Sequence, residues 1–161
     1  MFSRGKGMWA ILSFVGILLL GSHSALAWCD GTQKQTLLYE RLGGLAPISV
    51  VISDFIDIIK HDVVFNANPI VDDAMRRVPA PYLKYHMTAL VCQAAGGPCL
   101  YHGREMKESH APLGITELEW GRMTALFSEV LITNQVTEKE RQELLKIVNS
   151  VKADIINHGQ E

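Results

Sequence analysis

A glycine pair followed by proline, Gly96-Gly97-Pro98, cuts a helical pattern in two and dictates much of what this chain can become. Glycine adopts the left-handed conformation that ends a helix, and proline cannot continue one. Residues on either side therefore belong to different helices. Upstream, Leu83, His86, Met87 and Leu90 mark the apolar stripe of one helix. Downstream, Met106 to His110 reads as a short helix held by Pro112 and Gly114. Two histidines, His86 and His110, thus flank the stop, and a metal-centred cofactor gripped between them is the first chemical expectation.

The rest of the chain repeats the helical theme. Thr36 to Leu42 reads as one or two turns stopped by Gly43-Gly44, with Pro47 in the first turn of the next helix. Between Ile48 and Ile59 the residues Ile48, Ile52, Phe55 and Ile59 recur at helical spacing, and Val51, Ile56 and Ile58 widen the buried face. Residues 61 to 81 hold Asn66, Asn68, Pro69, Pro79 and Pro81 and predict a loop with one helical turn from Asp72 to Arg77. Thr116 with Glu119, and Thr137 with Glu140, each have the spacing of a capping box. The stripes behind them, Trp120, Met123, Phe127, Val130 and Leu131, then Leu144, Ile147, Val148, Val151 and Ile155, face a core. No segment alternates as a strand does. The expectation is an all-α fold of four substantial helices and two short ones.

Residues 1 to 27 differ from everything after them. Arg4 and Lys6 make a basic start, Met8 to Leu20 an apolar core too short to span a bilayer, and Ala25-Leu26-Ala27 a peptidase site. The expectation is a signal peptide cleaved after Ala27, an exported, periplasmic chain, and one domain over 28–161 with no membrane span once the signal is gone. Trp28 argues against a lipid anchor on Cys29, because a small residue should precede a lipidated cysteine. The formal charge of −2, with no basic block, gives no footprint for nucleic acid. In an oxidising compartment Cys92 and Cys99, separated by a tight turn, either close a local bridge or leave Cys92 as a small buried apolar residue.

No G-x-S-x-G, H-E-x-x-H, phosphate-loop or C-x-x-C-H motif is present. Histidine remains the candidate. His110 is either a rigidly held metal ligand or a packing residue at a helix end.

Leu38-Tyr39-Glu40-Arg41-Leu42-Gly43-Gly44, Gly96-Gly97-Pro98, Tyr101-His102-Gly103-Arg104-Glu105-Met106-Lys107-Glu108-Ser109-His110 and Leu113-Gly114-Ile115-Thr116 resemble, in order and spacing, the group 1 truncated haemoglobins. The likeness runs from about Leu38 to about Ile156. It implies a two-over-two helical sandwich around a non-covalent haem b, iron protoporphyrin IX, with His110 as the proximal iron ligand. It also implies reversible binding of oxygen, nitric oxide or carbon monoxide, and leaves room for nitric-oxide-reactive or peroxidase-like chemistry and a redox partner.

The resemblance further implies which residues surround the haem, and where this chain departs from the family. A tyrosine usually follows the phenylalanine of the second helix; here Phe55 is followed by Ile56. Positions often polar on the distal helix are Leu83 and Met87. His86, on the same helix, is a candidate distal iron ligand, which would make a bis-histidine electron-transfer haem; alternatively it bonds a propionate, a water or the bound gas. Tyr101 and Lys107 belong to the cofactor-binding set, with Lys84, Arg104 and Lys107 candidates to pair with the propionates. The loop before the distal helix is several residues longer than in the family, and Phe65 stands in for its usual phenylalanine pair. The rival of another class is a haem-free helical binding module, motivated by the missing tyrosine at Ile56. A non-haem metal site of His86, His102 and His110 lacks acidic partners. A covalent haem link from His158 would need the last helix to pass Gly159.

Overall fold

The computed structural model of the chain describes residues 36–156. The expected signal peptide, Cys29 and His158 lie outside the described residues. Within them the chain forms α1 (Leu38–Arg41), α2 (Leu45–Ile59), α3 (Val63–Ala67), α4 (Pro69–Arg77), α5 (Ala80–Ala94), α6 (Met106–His110), α7 (Glu117–Thr133), α8 (Glu138–Ser150) and α9 (Lys152–Ile155), with a 3-10 turn at Ala111–Leu113. No strand occurs among the described residues. The all-α expectation is met.

The apolar stripe of α2 buries Ile48, Ile52, Phe55, Ile56 and Ile59. It packs on α5 and on α7, and α7 in turn packs on α8. Two helix pairs, α2 with α5 and α7 with α8, thus stack as a two-over-two sandwich. The short helices α3, α4 and α6 close its open side, with α6 against α9 and α4 against the 3-10 turn.

The end of α5 bears out the expectation set by the glycine pair. Gly96 adopts φ +85, and Gly97 N–H returns to the Cys92 carbonyl at 2.8 Å, the six-to-one bond that satisfies an orphan helix carbonyl. A side chain on Gly97 would meet Cys92 Sγ at 2.7 Å and its carbonyl oxygen at 2.8 Å. That crowding follows from the Cys92–Cys99 disulfide, which closes this same turn with a Cα–Cα distance of 5.8 Å. Of the two roles open to these cysteines, the local bridge is the one realised.

Two expectations are corrected. Residues 61–81 are mostly helical, not a loop with one turn. Asp62 caps α3 by accepting from Val64 N–H, and Asn68 caps α4 by accepting from Ile70 and Val71 N–H. Pro69 then stands at the first helical position, where its missing N–H costs nothing. The capping box at Thr137 is also absent, since its side chain makes no cap hydrogen bond. Glu140 instead accepts from Arg41 Nε of α1 at 3.0 Å, and Arg41 also pairs with Glu143. A buried charge-assisted bond outcompetes the local cap. At Thr116 the box forms as expected.

Candidate functional site

Where the two helix pairs meet the short helices, the core leaves a cavity of about 390 Å³. α2 contributes Ile52, Phe55, Ile56 and Ile59, and α5 contributes Leu83, Met87, Leu90, Val91 and Ala94. The edge of Phe55 meets Phe127 of α7 with ring centroids 5.2 Å apart. Phe65, Val71 and Met75, from the extended segment between α2 and α5, complete the wall. Neither α2 nor α5 presents an N–H or O–H side-chain donor to this space. The lining residues with polar side-chain atoms are His110, Glu119, Trp120 and Ser150.

His110 owes its place to the way α6 ends. The 3-10 turn Ala111–Leu113 comes directly after it, and Gly114 at φ +61 lets the chain reverse into Thr116 and α7. The ring is half-buried, and its Nδ1 lies 2.8 Å from the Met106 carbonyl oxygen one turn back. A carbonyl only accepts, so Nδ1 carries the proton and Nε2 keeps its lone pair. Ser109 Oγ, 3.1 Å from Nδ1, donates to the Glu105 carbonyl at 2.8 Å. Burial pushes the His110 imidazolium down from its ordinary value, with the Met106 carbonyl opposing in part. The shift favours the neutral imidazole, the protonation state a metal requires.

The structure brings together only part of the sequence-predicted site. Phe55, Ile56, Leu83, Met87 and His110 share the cavity wall, as does Phe65. His86, Tyr101 and Lys107 do not. At roughly 100° per residue, the cavity face of α5 centres between Leu83 and Met87, and His86 stands roughly 80° round from it. Its ring packs instead on Tyr82, Tyr85 and Tyr101, with centroids at 4.2, 5.1 and 6.1 Å. His86 Nδ1 is buried there without a hydrogen-bond partner. Burial raises the Tyr101 phenol above its ordinary value, and its hydroxyl donates to the Arg104 carbonyl at 2.9 Å. Lys84 is engaged by Asp57 at 2.7 Å, whereas Arg104 and Lys107 are exposed. Among the described residues no group of three or more His, Cys, Asp or Glu converges to hold a metal ion, so His86, His102 and His110 build no joint site.

Sequence reasoning missed Glu119 and Asn68 as site residues. Glu119 is 4% exposed, and Asn68 Nδ2 donates to it at 2.7 Å. The capping spacing was legible; the partner 51 residues earlier was not.

One imidazole on the wall of an apolar slot fits a flat, hydrophobic macrocycle with a metal at its centre. His110 would be the residue to hold such a metal, and the lining around it is apolar apart from Trp120, Ser150 and Glu119, whose carboxylate oxygens are engaged by Thr116 and Asn68.

Comparison with known proteins bears on the family and the fold. The profile of the family described as bacterial-like globin matches residues 37–157. No curated protein matches the sequence. Among solved structures, truncated hemoglobin from Tetrahymena pyriformis in its Fe(III) form is 20% identical with a TM-score of 0.64, covering 76% of this chain and 99% of its own. The 2/2 hemoglobin from Synechococcus sp. PCC 7002, in the cyanomet state with covalently attached heme, is 24% identical with a TM-score of 0.63, covering 76% and 100%. The cold-adapted truncated hemoglobin from Pseudoalteromonas haloplanktis is 20% identical with a TM-score of 0.62, covering 77% and 100%.

Proposed function

The chain belongs to the bacterial-like globin family, whose membership implies a haem cofactor, and we propose that it holds haem b non-covalently through His110 and binds a diatomic gas reversibly. When bound, haem would supply an iron able to take up oxygen, nitric oxide or carbon monoxide. His110 presents the Nε2 lone pair, and the Met106 carbonyl on Nδ1 fixes the ring and raises its basicity. The apolar walls from α2 and α5 exclude water. Because those walls hold no donor, discrimination between gases rests on size and apolar contact rather than on hydrogen bonding.

The observation that carries this reading is His110 on the wall of an apolar cavity of about 390 Å³, its Nδ1 held by the Met106 carbonyl. Absorption spectroscopy of the chain titrated with haem tests it. One equivalent taken up, a ferrous high-spin spectrum after dithionite and a shift with carbon monoxide support it; no uptake by the folded chain supports the haem-free alternative.

A bis-histidine haem serving electron transfer would need His86, whose unpartnered Nδ1 is buried beside Tyr82, Tyr85 and Tyr101 off the cavity wall, to turn toward the iron. Low-spin bands in the gas-free protein that turn high-spin in His86→Ala would select it.

The protein is further read as exported, with residues 1–27 removed. The Cys92–Cys99 disulfide supports this, because such bridges persist in oxidising compartments. Detection of a mature N-terminus at Trp28 tests it.

A further inference from the structure

Glu119 is a carboxylate on the wall of an apolar cavity, and gas binding gives it no role. A charge so placed persists only when donors saturate its oxygens. Oε2 accepts from Thr116 N–H at 2.8 Å and from the Thr116 hydroxyl at 2.7 Å. Oε1 accepts from Asn68 Nδ2 at 2.7 Å. Burial alone would raise this carboxyl, but the two Thr116 donors and Asn68 together hold it below its ordinary value.

Asn68 carries the connection further. Its Nδ2 also donates a long bond to the Leu113 carbonyl at 3.4 Å, and its Oδ1 accepts from Ile70 N–H at 3.1 Å and Val71 N–H at 3.4 Å. The start of α4, the turn after His110 and the start of α7 are thereby tied together. A capping box needs only Thr116 and Glu119. The bond from Asn68 is additional, and it comes from the segment between α2 and α5 whose asparagines and prolines resemble those of a lengthened loop.

His110 sits between two restraints. On one side the Met106 carbonyl holds its ring. On the other the backbone runs through Leu113 and the left-handed Gly114 before Thr116 anchors it. Asn68 holds Leu113, and Glu119 holds Thr116. Resting on the reading of His110 as the iron ligand, we propose that Asn68 and Glu119 form a positioning pair that sets how His110 presents Nε2 to the haem iron. Neither residue contacts the iron.

The test uses the haem-reconstituted protein with Asn68→Asp, Glu119→Gln, and both changes together. The first substitution opposes two carboxylates and the second opposes two amides. Together they exchange donor and acceptor: the glutamine amide donates to the aspartate, whose other oxygen still caps α4, while the glutamine carbonyl still accepts from Thr116. Haem loss to an excess of scavenging apoprotein and the iron–histidine stretching band of the reduced protein are measured. Each single variant is expected to lose haem about tenfold faster, the consequence of leaving a buried polar group unsatisfied, and to shift the band. The double variant is expected to return both part of the way to wild type, because it restores the bond between residues 68 and 119 while the aspartate has no N–H for the Leu113 carbonyl. Single variants that melt earlier yet keep the wild-type band and haem-loss rate overturn the proposal and leave a helix cap. A double variant that recovers neither overturns it as well. His110→Ala is the reference. If the band persists there, another residue ligates iron, the underlying reading fails and the proposal falls with it.

Discussion

His110 Nδ1 lies 2.8 Å from the Met106 carbonyl oxygen, within a single turn of α6. A helix this short, five residues from Met106 to His110, has little rigidity of its own, so the imidazole helps to order the backbone that carries it. Removing the ring should be felt at the cofactor first. In His110→Gly, haem uptake is expected to weaken by more than about tenfold, the loss of an iron–nitrogen bond, and added imidazole should restore a histidine-like absorption spectrum. Unchanged uptake would remove His110 from the site.

His86→Ala is expected to leave the reduced spectrum and the carbon monoxide association rate within about twofold of wild type, since its ring packs on Tyr82, Tyr85 and Tyr101 outside the cavity wall. Flash photolysis of the carbon monoxide form checks this.

Ile56 is 4% exposed and lines the cavity. Replacing it with tyrosine introduces the hydroxyl that the α2 wall lacks. Oxygen dissociation, measured by stopped flow, is expected to slow by about tenfold or more, the worth of one hydrogen bond to a group bearing charge. A rate unchanged from wild type would mean that the hydroxyl does not reach the gas.

Reduction of the Cys92–Cys99 bridge, or Cys99→Ser, is expected to cost about 2 kcal/mol by freeing a short loop in the unfolded chain. Calorimetry should show melting roughly 5 °C lower.

Asp62 caps α3 through Val64 N–H and pairs with Arg122 of α7 at 2.8 Å. Burial would raise its carboxyl, but the Arg122 hydrogen bond and the α3 backbone N–H groups hold it below the ordinary value. A depressed folded-state value means the unfolded chain binds the proton more readily, so the contribution is complete above the ordinary carboxylate range, near pH 4, and is lost as pH falls through the folded value. Urea titrations should show stability declining below about pH 4, less steeply in Asp62→Asn. Equal slopes in both proteins would deny Asp62 a share.

How much of this was legible in the sequence depended on the range of the interaction. Ile52, Phe55, Leu83 and Met87 announced themselves by helical spacing, because a stripe that faces a core repeats locally. Gly96 and Gly97 marked the stop of α5 for the same reason. Of α4 only the turn from Asp72 to Arg77 was legible, since Asn68 and Pro69 punctuate loops and begin helices equally well, and here Asn68 caps the helix through Ile70 and Val71 N–H. Glu140 had the spacing of a cap yet serves Arg41, 99 residues away. His86 lay near enough to the apolar stripe to be assigned to it, and the three tyrosine rings that draw it aside are a tertiary matter.

The apolar cavity bears on how long the chain survives as well as on what it binds. A cofactor seated in a space of about 390 Å³ makes contacts with the side chains all round it, so it also becomes part of the core. A cofactor that binds only the folded state stabilises it in proportion to the logarithm of its free concentration over its dissociation constant. Proteolytic turnover then becomes a reporter of cofactor supply, with chains made in excess of haem the first to be cleared.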